Sequence, residues 1–117
     1  MENKPQITFD EFLAIEAKLE IKIGRITAIE RVPKSKKLLK LTVDFRYDST
    51  ETKTVVTNIG DKFNPEELLG VKMPFITNLV PTTIMGITSE AMIVVGQSYG
   101  ENVIFEIQDY SIGTKLL

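Results

Sequence analysis

The run Leu19-Glu-Ile-Lys-Ile-Gly-Arg-Ile-Thr-Ala28 decides the fold. Leu19, Ile21 and Ile23 alternate with Glu20 and Lys22, the period that turns one side of a strand to a core and the other to water. At Gly24-Arg25 the phase slips, and Ile26 and Ala28 carry it on. A slip at a glycine inside a long strand predicts a bulge, which bends the strand so that it can serve both halves of a curled sheet.

Downstream, Pro33 marks a turn, and Leu39, Leu41, Val43 and Phe45 then alternate with Lys40, Thr42 and Asp44. A polar turn is expected over Tyr47–Thr52 and a third strand over Thr52–Ile59. A short helix follows, with Asn64 as N-cap, Pro65 at the first helical position, Glu67 completing the capping box, Phe63 and Leu68 as staple and Gly70 as stop. Val71, Met73 and Phe75 predict a fourth strand, in which Pro74 favours an edge or strand-end position. The continuously apolar Ala91–Val95 reads as a fifth strand buried on both sides, and Val103–Ile107 as a last alternating piece. Upstream, Thr8 and Glu11 have capping-box spacing, with Ile7 and Phe12 at the staple positions, so a short helix bears an apolar stripe of Phe9, Phe12 and Leu13. A helix this short is not stable alone, so the stripe has to cap the open end of a barrel or meet another subunit. This order of elements is that of an all-β, five-stranded OB-fold barrel, with a short N-terminal helix, a short helix between strands 3 and 4, and a C-terminal extension. A single domain is expected over residues 1–117, with residues 1–6 as a flexible tail.

Composition narrows the chemistry. Among the 117 residues there is no cysteine and no histidine, which removes disulfides, the best zinc ligands, the usual general base and the common activated nucleophile. The carboxylate pairs Asp10/Glu11 and Glu66/Glu67 fall in the first turns of the expected helices, where the macrodipole favours negative charge, so capping explains them. No glycine-rich phosphate loop, nucleophile elbow or metal motif occurs. The chain therefore reads as non-catalytic, with no metal and no cofactor. Its start, Met1-Glu-Asn-Lys-Pro-Gln6, lacks an apolar leader core, and no apolar run approaches the length of a bilayer span, so a cytoplasmic protein without membrane contact is expected.

The formal net charge of −2 hides an asymmetry. Nine cations against three carboxylates lie between Lys18 and Arg46, whereas from Met73 onward Lys115 is the single cation. A dipolar molecule of this kind can offer one positive face to a polyanion. The densest positive segment, Arg31-Val-Pro-Lys-Ser-Lys-Lys-Leu-Leu-Lys40, falls in the turn between the first two strands, where an OB-fold presents its first ligand-contacting loop. Arg31, Lys34, Lys36, Lys37 and Lys40 are thus candidates to hold phosphates, fixing affinity rather than base sequence. Phe45 and Phe75 stand on the apolar side of their alternations, while Tyr47, Tyr99 and Tyr110 fall in polar stretches and are candidates to stack on unpaired bases.

Seven phrases, read together, resemble the tRNA-binding domain family: Ile7-Thr-Phe-Asp-Glu-Phe12, Ile23-Gly-Arg-Ile26, Lys37-Leu-Leu-Lys-Leu-Thr-Val-Asp44, Val55-Val-Thr-Asn-Ile59, Asn64-Pro-Glu-Glu-Leu-Leu-Gly70, Asn78-Leu-Val-Pro81 and Ser89-Glu-Ala-Met92. That family includes the C-terminal appendage of bacterial methionyl-tRNA synthetases, free structure-specific tRNA-binding proteins and CsaA-type export chaperones. The resemblance implies an OB-fold, a homodimer joined through additions at both ends of the barrel, and recognition of the outer bend of tRNA by shape. It also assigns site residues: Lys37 matches the family's loop lysine, Asn78 its Asn-Leu-x-Pro asparagine, and Ser89 and Met92 the Ser and Met of its Ser-x-Gly-Met phrase. The chain departs from the family at Thr83-Ile-Met-Gly86, where tRNA-binding members carry Lys-Met-Arg-Gly, and at Ala91, which replaces the usual glycine. A non-catalytic, homodimeric tRNA-binding module is the expectation, with an aminoacyl-tRNA synthetase as a candidate further partner. The rival is a CsaA-like chaperone that holds unfolded polypeptide in an apolar groove of the dimer.

Overall fold

The computed structural model describes residues 3–46 and 52–117. Tyr47 and most of the turn expected at 47–52 therefore lie outside the described residues. The first helix, α1 (Phe9–Glu16), forms as its capping box requires: the Thr8 amide donates to Glu11 Oε1 at 3.0 Å and the Glu11 amide to Thr8 Oγ1 at 3.1 Å. No residue of α1 is buried, so the stripe does not cap the barrel, and Phe9 stands 76% exposed with its ring edge-on to Phe12.

The long strand β1 (Ile21–Arg31) is the spine of the sheet, and β2 (Leu39–Asp44) and β3 (Thr52–Thr57) follow it as an antiparallel meander. After α2 (Pro65–Leu68) comes β4 (Lys72–Ile76), which pairs with the first half of β1 while β2 pairs with the second. Sharing one strand between the two halves curls the sheet into an OB-like half-barrel. The register shift lies between Ile26 and Ala28, two residues past the glycine expected to carry it. Gly24 is needed for another reason: a Cβ there would stand 2.5 Å from both the Phe45 ring and the Val43 side chain. Phe45 crosses that gap to meet Phe75 edge-to-face at 5.5 Å, inside a core that includes Ile26, Leu39, Leu41, Val55 and Met73.

Pro74 lies in a strand paired on both sides, yet no ladder bond is lost. It stands opposite Ile23, whose amide donates to the Thr114 carbonyl and whose carbonyl accepts from Gly113, so β1 asks nothing of the proline nitrogen. Its carbonyl accepts from Val94, where pairing with the next strand ends. Between β4 and that strand stands a hairpin, β5 (Thr82–Ile84) and β6 (Ile87–Ser89), turning through Met85 and Gly86, both at positive φ. The fifth barrel strand, β7 (Met92–Ile93), is shorter than the apolar run suggests, and Met92 is 55% exposed rather than buried. A second hairpin, β8 (Gly96–Ser98) and β9 (Glu101–Val103), ends the alternating piece expected to reach Ile107, and β10 (Lys115–Leu116) returns to β1.

The barrel closes between β3 and the segment after the first hairpin, and side chains do much of the closing. The Glu90 amide donates to the Thr54 carbonyl at 2.8 Å, while Glu90 Oε1 accepts from the Thr54 amide at 2.9 Å. Beside it Ser89 Oγ accepts from the buried Val56 amide at 2.9 Å and donates to the Ala91 carbonyl at 3.2 Å. Two side chains thus stand in for a strand that does not run far enough.

Candidate nucleic-acid interface

The loop from Val32 to Leu38 is closed on itself. Val32 donates to the Leu38 carbonyl at 3.2 Å, and Ser35 donates to the Val32 carbonyl across a turn with Pro33 second and Lys34 third. Lys34 has φ 67°, the left-handed conformation that this type II arrangement demands and that glycine or asparagine usually supplies. A lysine there costs about 1 kcal/mol of local strain. Ser35 Oγ then accepts from the Lys37 and Leu38 amides at 3.3 and 3.1 Å. The result is a rigid platform with Lys34, Lys36 and Lys37 exposed on it.

The cations of this half of the molecule divide by what holds them. Lys40 lies opposite Glu30 in the β1–β2 register and pairs with it at 3.3 Å. Arg46 pairs with buried Asp44 at 2.8 Å, and Lys22 approaches Glu20 at 3.8 Å. Arg25 and Arg31 donate to the backbone carbonyls of Gly70 and Gly60, at 2.8 and 2.9 Å. Among the described residues, Lys34, Lys36 and Lys37 make no ion pair. The loop thus holds three cations close together in sequence whose charge no carboxylate among the described residues offsets by an ion pair.

Other expected site residues are committed within the chain. Asn78 clamps the entry to β1: its Oδ1 accepts from the Glu20 amide at 3.0 Å and its Nδ2 donates to the Lys18 carbonyl at 2.7 Å. Ser89 is 8% exposed and sits in the closing seam. Next to this clamp the Thr77 hydroxyl donates to Glu20 Oε1 at 2.5 Å and, with the lysines around it, holds that carboxyl below the usual carboxylate range. Met92, Tyr99 and Tyr110 are exposed but are not part of the lysine loop.

The hairpin β5–β6 shares an end of the barrel with the loop. Glu90 lies against Thr54 and Ser89 against Val56, so the hairpin runs along β3 toward Thr57, whose partner Leu39 is the first residue after the loop. The hairpin carries no charge from Thr82 to Ser89, and its approach exposes Val80 at 87%. Sequence reading missed Gly60, whose amide donates to the Lys37 carbonyl at 2.7 Å; a glycine just past a strand in Asn58-Ile-Gly60 was the available signal.

An OB-like half-barrel that presents a hydrogen-bonded cationic loop defines the class, a small OB-like β-domain; among the described residues no cluster of carboxylate, histidine or cysteine side chains could hold a metal ion. The family described as "Putative tRNA binding domain" matches residues 21–115, and the chain belongs to it. It is 40% identical over 101 residues to a methionine–tRNA ligase of Methanococcoides burtonii, a match covering 86% of this chain and 14% of that protein. A Bacteroides fragilis methionine–tRNA ligase is 41% identical over 90 residues, with 77% of this chain and 12% of that protein covered. The chain thus spans about a seventh of the length of the first of these ligases. Among solved structures it resembles a MetRS-related protein from Pyrococcus horikoshii, with TM-score 0.83, 31% identity, and 97% of this chain and all of that one covered. Similar too is the chaperone CsaA from Bacillus anthracis, with TM-score 0.76, 26% identity and the same coverage. No helix of the described residues is long and apolar enough to cross a membrane.

Proposed function

We propose that the chain is a non-catalytic tRNA-binding module that works as a homodimer in the cytoplasm. The observation that carries this reading is the hydrogen-bonded loop holding Lys34, Lys36 and Lys37 in the open, without ion-pair partners among the described residues. Such point charges suit the phosphates of a structured RNA, which is recognised by shape, phosphates and 2′-hydroxyls rather than by base edges. In this reading Lys40 and Arg31 extend the positive field, Asn78 and Ser89 hold the scaffold that presents it, and Met92 offers an apolar contact. The face of α1, with Phe9, Phe12 and Leu13 exposed, supports a two-fold dimer in which both copies use the same patch. A synthetase is a candidate partner because the curated relatives carry this domain as a small part of such an enzyme.

Titration with bulk tRNA at several salt concentrations tests the proposal. Replacing Lys34, Lys36 and Lys37 with Ala should flatten the log–log salt slope by about two to three units if each lysine meets one phosphate. Unchanged affinity and slope would remove the loop from the site, and light scattering that returned the monomer mass would remove the dimer. The uncharged hairpin and exposed Val80 favour a second reading, a CsaA-like holder of unfolded polypeptide. Capture of an unfolded polypeptide that persists at high salt, with no tRNA binding at low salt, would make that reading the better one.

A further inference from the structure

The lysine loop is tied to the barrel by a relay outside the loop. The Arg31 guanidinium, at the end of β1, donates from Nη1 to the Gly60 carbonyl at 2.9 Å, and the Gly60 amide donates to the Lys37 carbonyl at 2.7 Å. Gly60 is packed so closely that a Cβ on it would stand 2.8 Å from the Lys37 oxygen and 3.1 Å from Leu39 Cγ. Its φ lies outside the left-handed region, so a side chain is barred by the approach to Lys37 and not by backbone strain.

We infer that Arg31 and Gly60 are positioning residues for the anion-binding loop: together they fix where the Lys37 backbone, and with it the neighbouring ammonium groups, stands against an RNA phosphate. The inference rests on the reading of the loop as the phosphate site. It changes the role of Arg31 from a direct phosphate ligand to the anchor of a backbone chain. Loops gain affinity from being held in the bound geometry, because ordering them otherwise falls on the binding step. Between Val32 and Leu38 the internal bonds set the shape of the loop. The bond from Gly60 sets its orientation on the barrel.

Three single variants and one pair test this on the full chain with bulk tRNA as probe. Arg31→Met removes the donor while keeping the length of the side chain, and Gly60→Ala pushes on the Lys37 carbonyl without altering any charge. Lys37→Ala reports on the site itself. In the RNA-free protein, Arg31→Met should speed hydrogen exchange at the Gly60 amide by roughly tenfold, because the Gly60 carbonyl loses its donor and the residue is then held less firmly against the Lys37 carbonyl. At low salt, Gly60→Ala should weaken tRNA binding by about three- to tenfold and flatten the salt slope, although its net charge is that of the parent. The double variant Arg31→Met/Gly60→Ala should bind no worse than the weaker single variant, since residues acting through one chain of contacts are not additive.

Unchanged Gly60 exchange in Arg31→Met would overturn the relay. So would additive losses in the double variant, which would return Arg31 to direct phosphate contact. If Gly60→Ala binds as the parent does while Lys37→Ala binds more weakly, the site stands and its positioning by Gly60 falls. If neither variant changes tRNA binding, the loop reading fails and takes this inference with it. Should Gly60→Ala not fold, the exchange measurement and the affinity of Arg31→Met, set against Lys37→Ala, decide the matter alone.

Discussion

Ser89→Ala tests whether the barrel is closed by side chains. In the folded chain the Ser89 hydroxyl is the acceptor for the amide of Val56, a buried residue, and itself donates to the Ala91 carbonyl. Alanine leaves the Val56 donor without a partner in a place water does not readily reach. An orphaned buried donor costs about 1–3 kcal/mol, and the desolvation saved by deleting a hydroxyl offsets only part of that, so a net loss of about 2 kcal/mol is expected. For a domain of this length that corresponds to a fall in Tm of roughly 6–12 °C. Glu90→Ala should cost less, about 0.5–1 kcal/mol, because Thr54 lies nearer to solvent and water can serve its amide. Denaturation followed by circular dichroism should be run at one fixed protomer concentration, since self-association would itself shift the transition. Amide exchange at Val56 gives the local readout. A Tm within about 2 °C of the parent, with the Val56 amide still protected, would refute the reasoning: the seam would then be held by apolar packing alone.

Lys34→Gly should separate stability from binding, raising stability by about 0.5–1 kcal/mol through relief of the left-handed strain while weakening tRNA binding at low salt; denaturation and titration of the same sample check both signs. Glu20 has its folded pKa lowered, first by the Thr77 hydroxyl and further by nearby Lys22, so its contribution to stability is full above the ordinary carboxylate value of 4.5 and fades as pH falls through the lowered value. Thr77→Val should shrink that acid-side loss, and melting curves taken from neutral pH downward that superimpose on the parent's would contradict it. Thr83→Lys with Met85→Arg restores two cations on the hairpin and should tighten tRNA binding by roughly ten- to thirty-fold at low salt, shrinking as salt rises. A folded double variant that binds no better would mean the hairpin no longer faces the RNA.

Periodicity made the curled sheet legible, because alternation survives wherever a strand has one wet face, as in β1 and β2. It could not place the bend. Gly24 marked the right strand for the wrong reason, since its missing Cβ admits Phe45 while the extra residue sits between Ile26 and Ala28. The fifth strand failed differently. Its run of apolar residues concealed an outward Met92, and the work of pairing had passed to Ser89 and Glu90, which no pattern of hydrophobicity can show. Both hairpins turn on a residue followed by glycine, Met85-Gly86 and Tyr99-Gly100, each at positive φ, a dipeptide signal present in the chain and passed over. For the proposed site, charge density pointed to a loop on which Lys34, Lys36 and Lys37 stand exposed. Which of its cations are spent on neighbours depends on cross-strand register: only the pairing of Glu30 with Lys40 removes that lysine from the free set.

Three exposed lysines on one protomer, each giving about 1 kcal/mol against phosphate, supply about 3 kcal/mol, far short of the roughly 8 kcal/mol of a micromolar complex. The hairpin at the same end of the barrel brings no charge to make up the difference. On the proposed reading the missing affinity has to come from duplication: two loops on one rigid dimer meet one RNA, and the second contact is made at the effective concentration set by the first. The exposed face of α1 and the lysine loop are then parts of one device, although no contact joins them. A loop that is stiff and tied to the barrel suits it, because two anchors reinforce each other only when the distance between them is fixed.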